Sequence, residues 1–196
     1  MGKIDLLRDN LNPQSTFKMP EKDIGTSDSP RGIEELFMQY ARLKEDRALY
    51  PWAERFVMGY PLPWWQREFK WTEYQQRAFI DSIWRGNTLS SYLVNDWEMS
   101  DGVTFDKNSN ILLDGQQRLF TIERFVTDQL AVPDAEGTLR LWSEIGKTQR
   151  IRFVRTIFTR GHIRVWDEAL LMEIYNRRNF GGTPHLESER AVPRST

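Results

Sequence analysis

Ile111-Leu112-Leu113-Asp114-Gly115-Gln116-Gln117-Arg118-Leu119-Phe120-Thr121-Ile122 holds the turn from which the rest of the chain can be read. Three apolar residues make a short strand. The strand runs straight into Asp114-Gly115, after which Leu119, Ile122, Phe125 and Val126 line one side of a helix. A strand running straight into a helix leaves the first amide N–H groups of the helix without partners, at the positive end of its dipole. Gly115 has no Cβ and would let a backbone or a phosphate come close. Arg118 in the first turn offers a planar fork that suits phosphate oxygens. Gln116 and Gln117 add donors and acceptors without charge. Asp114 has three open roles: capping the helix, holding a divalent ion, or orienting Arg118. An ordinary capped helix is the alternative to an oxyanion site, because Asp-Gly ahead of a helix needs no ligand to explain it.

Upstream of this corner, residues 1–29 are polar and aperiodic and read as an arm. Ile33, Leu36, Phe37, Tyr40 and Leu43 fall at helical spacing between Pro30 and Pro51, which predicts an amphipathic helix over 33–49 with a face free to dock on a partner protein. Residues 56–62 read as extended, with Pro61 and Pro63 forcing a turning path. Thr72 caps a helix carrying Phe79, Ile80, Ile83 and Trp84, which Gly86-Asn87 ends. A strand is expected over 89–94 and a loop over 100–110.

Downstream, the spacing predicts a short strand over 139–142, a basic helix over 147–155, a strand over 163–166 and a helix over 167–177 broken by Asn179-Phe180-Gly181-Gly182-Thr183-Pro184. Short strands mixed with helices, with no regular alternation, indicate an α+β domain. The expected division is an arm at 1–29, a helix and linker at 30–55, the main domain at 56–186 and a tail at 187–196.

The 196-residue chain contains no cysteine, which excludes a disulfide framework, a thiolate zinc site and a cysteine nucleophile. Met1-Gly2-Lys3-Ile4-Asp5 lacks a leader's apolar run, and no stretch approaches the roughly 18 apolar residues of a membrane helix. A cytoplasmic protein without a membrane partner is expected. The net charge of −1 offers no general attraction for nucleic acid, so DNA would need a local patch. Lys147, Arg150, Arg152, Arg155, Arg160 and Arg164 are the candidates for one, against a solvated helix face as the alternative. Eight tryptophans are available for core packing or for stacking on bases, with Trp64 and Trp65 nominated for stacking.

The corner resembles the DGQQR signature of the GmrSD-type restriction family, within the wider ParB/sulfiredoxin-like superfamily. Two further segments match in order. Pro63-Trp64-Trp65-Gln66-Arg67-Glu68-Phe69-Lys70-Trp71 is similar to the family's upstream aromatic-Gln-Arg run. Glu173-Ile174-Tyr175-Asn176-Arg177-Arg178-Asn179-Phe180-Gly181-Gly182-Thr183-Pro184 is similar to its downstream Asn-x-Gly-Gly-Thr-Pro element. The resemblance implies a small mixed-sheet ParB/sulfiredoxin-like domain with an added N-terminal helix. It implies a site that binds a nucleoside triphosphate or another phosphoanhydride, with Asp114, Gln117, Arg118 and Arg67 in the chemistry. Gly115, Gln116, Gln66, Asn179, Gly181, Gly182 and Thr183 would contact the ligand, and Asp114 would hold a divalent cation such as Mg2+.

The sequence departs from the restriction enzymes in having only His162 and His185, too few for a His-Asn-His nuclease, and in the extra Arg177-Arg178. Three functions follow as expectations. The first is an enzyme cleaving a phosphoanhydride, acting either on a free nucleotide or on pyrophosphorylated, hypermodified bases in DNA. The second is a nucleotide-gated DNA or protein adaptor. The third is an antagonist of a restriction complex that docks through the helix at 33–49.

Overall fold

Residues 24–87 and 89–180 are described by a computed structural model. Their centre is a four-stranded sheet in the order β1-β8-β4-β5. Its strands are β1 (Ser27–Ser29), β4 (Tyr92–Asn95), β5 (Leu112–Asp114) and β8 (Arg160–Ile163). The β4–β8 pair is parallel and the other two pairs are antiparallel, so the sheet is mixed and the domain is α+β as the sequence indicates.

Both faces of the sheet are buried, and the alternation of side chains sorts them. Tyr92, Val94 and Leu112 point into a core shared with α1 (Glu34–Asp46), α2 (Glu73–Trp84) and α3 (Gln116–Val126). Leu93, Ile111, Leu113 and Ile163 point the other way, against Leu171, Met172, Ile174 and Tyr175 of α5 (Glu168–Phe180). Each fully buried aliphatic side chain contributes roughly 1.5–3 kcal/mol, so both layers are needed to fix β5 and with it the corner at Asp114.

A hairpin of β2 (Arg55–Val57) and β3 (Tyr60–Leu62) turns at Met58-Gly59, both with positive φ. A Cβ on Gly59 would lie 2.3 Å from the Gln39 carbonyl oxygen, so only glycine lets α1 approach this closely. The short hairpin β6 (Val132–Pro133) and β7 (Leu139–Arg140) leads to α4 (Lys147–Val154). Among the described residues no helix is long and apolar enough to cross a membrane.

Four expectations need correction. Ser27–Ser29, assigned to the arm, forms an edge strand on β8; backbone pairing is indifferent to its polar side chains. The predicted docking face of α1 is covered by its own domain: Ile33 and Leu36 are fully buried, with Phe37 and Tyr40 packed against the same core. The helix therefore belongs to the domain, and the antagonist reading loses its docking surface. The strand expected over 163–166 is β8, which spans Arg160–Ile163. Finally, α5 continues through Asn179 and Phe180 instead of breaking there.

Candidate functional site

Four segments meet at the β5–α3 corner and enclose a cavity of about 400 Å3. Gln66, Arg67 and Trp71 come from the run before α2; Ser90 and Ser91 precede β4; Asp114 to Arg118 form the corner; Tyr175, Arg178 and Asn179 come from α5.

The corner's conformation follows from Gly115, which is the N-cap of α3 with φ near +99°. A Cβ at this position would sit 2.6 Å from the Tyr92 Cβ. The glycine is thus required by the neighbouring strand and its left-handed backbone, whether or not a ligand also approaches it. Having no side chain, Gly115 also leaves the first turn of α3 without a side-chain cap, and a helix N-terminus of that kind suits an anion.

Of the three roles open to Asp114, capping is excluded because Gly115 occupies the cap position. Its carboxylate is shared between two guanidinium groups. Arg118 Nη2 approaches Oδ1 at 3.4 Å, while Arg178 donates to Oδ2 from Nε at 3.2 Å and Nη2 at 3.1 Å. Arg118 also donates to the Ser90 hydroxyl and lies over the Phe158 ring, 5.8 Å from its centroid. Burial draws the Arg118 guanidinium below its ordinary pKa; Asp114 offsets part of that effect and Arg178 adds to it. An arginine remains charged regardless, so a buried cation beside a second cation is an unfavourable arrangement that an entering anion relieves.

Among the described residues Asp114 is the one carboxylate lining the cavity, both its oxygens accept from arginines, and no group of three His, Cys, Asp or Glu could hold a metal, so these residues do not by themselves build a divalent-ion site. Glu68 lies outside this cavity and pairs with Arg55 at 2.9 Å.

Gln117 turns out to be a positioning residue. Its Oε1 accepts from the backbone N–H groups of Lys70 (2.9 Å) and Trp71 (3.0 Å), and Nε2 donates to the Glu68 carbonyl at 3.4 Å. The carboxamide proposed for chemistry instead straps the Gln66–Trp71 run onto α3. Gln76 completes the strap by donating to the Trp71 carbonyl at 2.9 Å. Gln116 is buried in the cavity wall.

The proposed stacking residues fall elsewhere. Trp65 is 7% exposed, set edge-on to Tyr175 at 5.2 Å within the core, and cannot stack on a base. Trp64 is 39% exposed but lines a different cleft, where its Nε1 donates to Glu168 at 3.1 Å. Four members of the basic run have these settings. Arg150 lies over Trp142, Arg152 donates to the Trp84 carbonyl at 2.7 Å, Arg155 follows α4 as its C-cap, and Arg160 pairs with Glu35 at 2.5 Å. None of the four lines the corner cavity. Gly181, Gly182 and Thr183 lie outside the described residues, whereas Asn179 reaches the cavity from α5.

Ser90, Ser91 and Trp71 were not singled out by the sequence. Strand pairing is what places the two serines, since Leu93 sits opposite Asp114 across β4 and β5. Only that register could have revealed them.

The model of one protein family, described as the GmrSD restriction endonuclease N-terminal domain, matches residues 53–163. The match includes Gln66, Arg67 and the whole Asp114–Arg118 corner but stops short of Arg178 and Asn179. No curated protein and no solved structure matched. With more than half of the chain covered, and with the corner inside the matched residues, the protein belongs to the GmrSD restriction endonuclease N-terminal domain family.

Proposed function

We propose that the corner cavity binds the phosphoanhydride of a nucleoside triphosphate, and that the domain hydrolyses it in support of DNA restriction. The DGQQR identity of the corner and the wider kinship to ParB/sulfiredoxin-like folds belong to the same proposal. One observation carries it: Arg118 and Arg178 converge on a single cavity, also lined by Arg67, and share the carboxylate of Asp114 there instead of each having its own. Preorganised guanidinium groups in a partly dry site stabilise charge on transferring phosphoryl oxygens more than any other device available to side chains. Arg118 and Arg178 are held to that task by Asp114, Ser90 and Ser91.

In the hydrolysis, water adds to the terminal phosphorus, the bond to the bridging oxygen breaks, and the proton ends on product phosphate. No step is assigned to a protein-bound metal; a cation enters on the nucleotide's own oxygens, as part of the substrate.

The double engagement of Asp114 favours a second reading, a nucleotide-gated adaptor, because a carboxylate held by two arginines is a weak general base. Purified protein incubated with magnesium and ATP, GTP, CTP or dATP separates the two. Release of phosphate that disappears in Arg118→Ala supports hydrolysis. Saturable binding without release supports the adaptor. Absence of binding to all four nucleotides refutes both. A gel shift comparing modified with unmodified DNA decides whether DNA carries the substrate group.

A further inference from the structure

We infer that Trp71 and Gln66 form a nucleobase subsite in the wall of the corner cavity, so that the site selects nucleotides over inorganic polyphosphates. The inference rests on the proposed phosphoanhydride site and adds to it the uncharged part of the ligand.

Two separate observations point this way. Trp71 is the one tryptophan among the described residues lining the cavity. Its backbone is fixed on both sides, the N–H by Gln117 at 3.0 Å and the carbonyl by Gln76 at 2.9 Å. Its indole is set edge-on to Phe79 at 5.5 Å. An aromatic ring held in place before binding offers stacking area at little entropic cost, and every base has a face to stack on it.

Gln66 is 4% exposed and lines the same cavity, and its Oε1 is buried with no hydrogen-bond donor among the described residues. Its main chain is pinned, with the carbonyl accepting from Arg55 at 2.7 Å and the N–H donating to Pro63 at 3.1 Å. The donors of Arg118 and Arg178 engage Asp114, Ser90 and Ser91 instead. A buried acceptor without a donor is costly and calls for a partner. Ionised phosphate, which presents only acceptors, cannot supply one. An exocyclic amine, a ring N–H or a ribose hydroxyl can. A ligand that satisfies arginines, an indole face and a lone acceptor together is a nucleotide.

The test is calorimetric titration of the full chain with sodium tripolyphosphate and with each of ATP, GTP, CTP and UTP, for wild type and for Trp71→Phe, Trp71→Leu and Gln66→Leu. Wild type is expected to bind its preferred nucleotide at least about tenfold more tightly than tripolyphosphate. Trp71→Leu should lose about tenfold for that nucleotide and Trp71→Phe less, with tripolyphosphate unchanged within about twofold. Gln66→Leu should weaken the nucleotide alone, by about fivefold.

Equal affinity for tripolyphosphate and nucleotide in wild type overturns the subsite, as does parallel weakening of both ligands in the variants. Should Trp71→Leu fail to fold, Trp71→Phe and Gln66→Leu decide by the same criterion. Failure of tripolyphosphate and of all four nucleotides to bind wild type strikes the underlying phosphate reading instead, so the two failures are distinguishable.

Discussion

The cleft bounded by α2, the β6–β7 hairpin and α4 is larger than the corner cavity, about 500 Å3 against about 400 Å3. It too is lined by three arginines, Arg85, Arg140 and Arg152. Three acids, Asp81, Asp134 and Glu136, balance them there, and the pairs are made: Arg85 with Asp81 at 2.6 Å, and Arg140 with Asp134 at 2.9 Å. At the corner Arg118 and Arg178 share one carboxylate, Asp114, instead of each having its own. Basic residues in a sequence therefore do not by themselves mark a candidate anion site; convergence on a shared acid, in a wall that also buries the charge, does.

The comparison fails first if Arg118 proves dispensable. Arg118→Ala is expected to lower tripolyphosphate affinity by about 100-fold, and Arg118→Lys to restore only part of it, because an ammonium cannot reproduce the planar fork. Titration calorimetry at one fixed salt concentration measures both. Gln117→Leu should cost about 2 kcal/mol in denaturant unfolding, by leaving the Lys70 and Trp71 N–H groups without their acceptor. It should also weaken polyphosphate binding by less than Arg118→Ala does.

Asp114→Asn removes the carboxylate that Arg118 and Arg178 share at the corner. The ligand-free protein should lose about 1 kcal/mol, a modest figure because the carboxylate is partly exposed to solvent. Added tripolyphosphate should then raise its melting temperature by more than in wild type. The smallest effect belongs to the larger cleft and its helix. Arg150→Ala, Arg152→Ala and Arg155→Ala combined should leave tripolyphosphate affinity within about twofold. A larger loss would erase the distinction between the two cavities.

Much of the architecture could be read from residues alone because local rules and tertiary packing agree there. Thr72 forms the capping box that starts α2. The run Ile111 to Leu113 is buried on both faces, and the corner follows at Gly115. The edge strand β1 could not be read, since Ser27-Asp28-Ser29 carries no apolar signal. β8 was displaced in the sequence reading because Arg160-Gly161-His162 looks polar. In the structure a Cβ on Gly161 would meet the Asp28 carboxylate and the Leu93 side chain, each at 3.1 Å, so the strand needs a gap where prediction looks for a β-branched residue.

The site was legible in its centre and illegible at its rim. Arg118 and Asp114 are one helical turn apart, a local relation. Arg67 and Arg178 are brought to the same cavity by Gln117's strap and by the packing of α5 on β5, which no spacing encodes. The same long-range packing buried Trp65, while Trp71, six residues later, was left lining the cavity.

A crystal structure of the full chain with a non-hydrolysable ATP analogue is the most direct test. Its phosphates should lie against the first turn of α3, within hydrogen-bonding distance of Arg118 and Arg178. Phosphates seated instead among Arg85, Arg140 and Arg152, with the Asp114 carboxylate still closed between its two arginines, would contradict an oxyanion site at the corner.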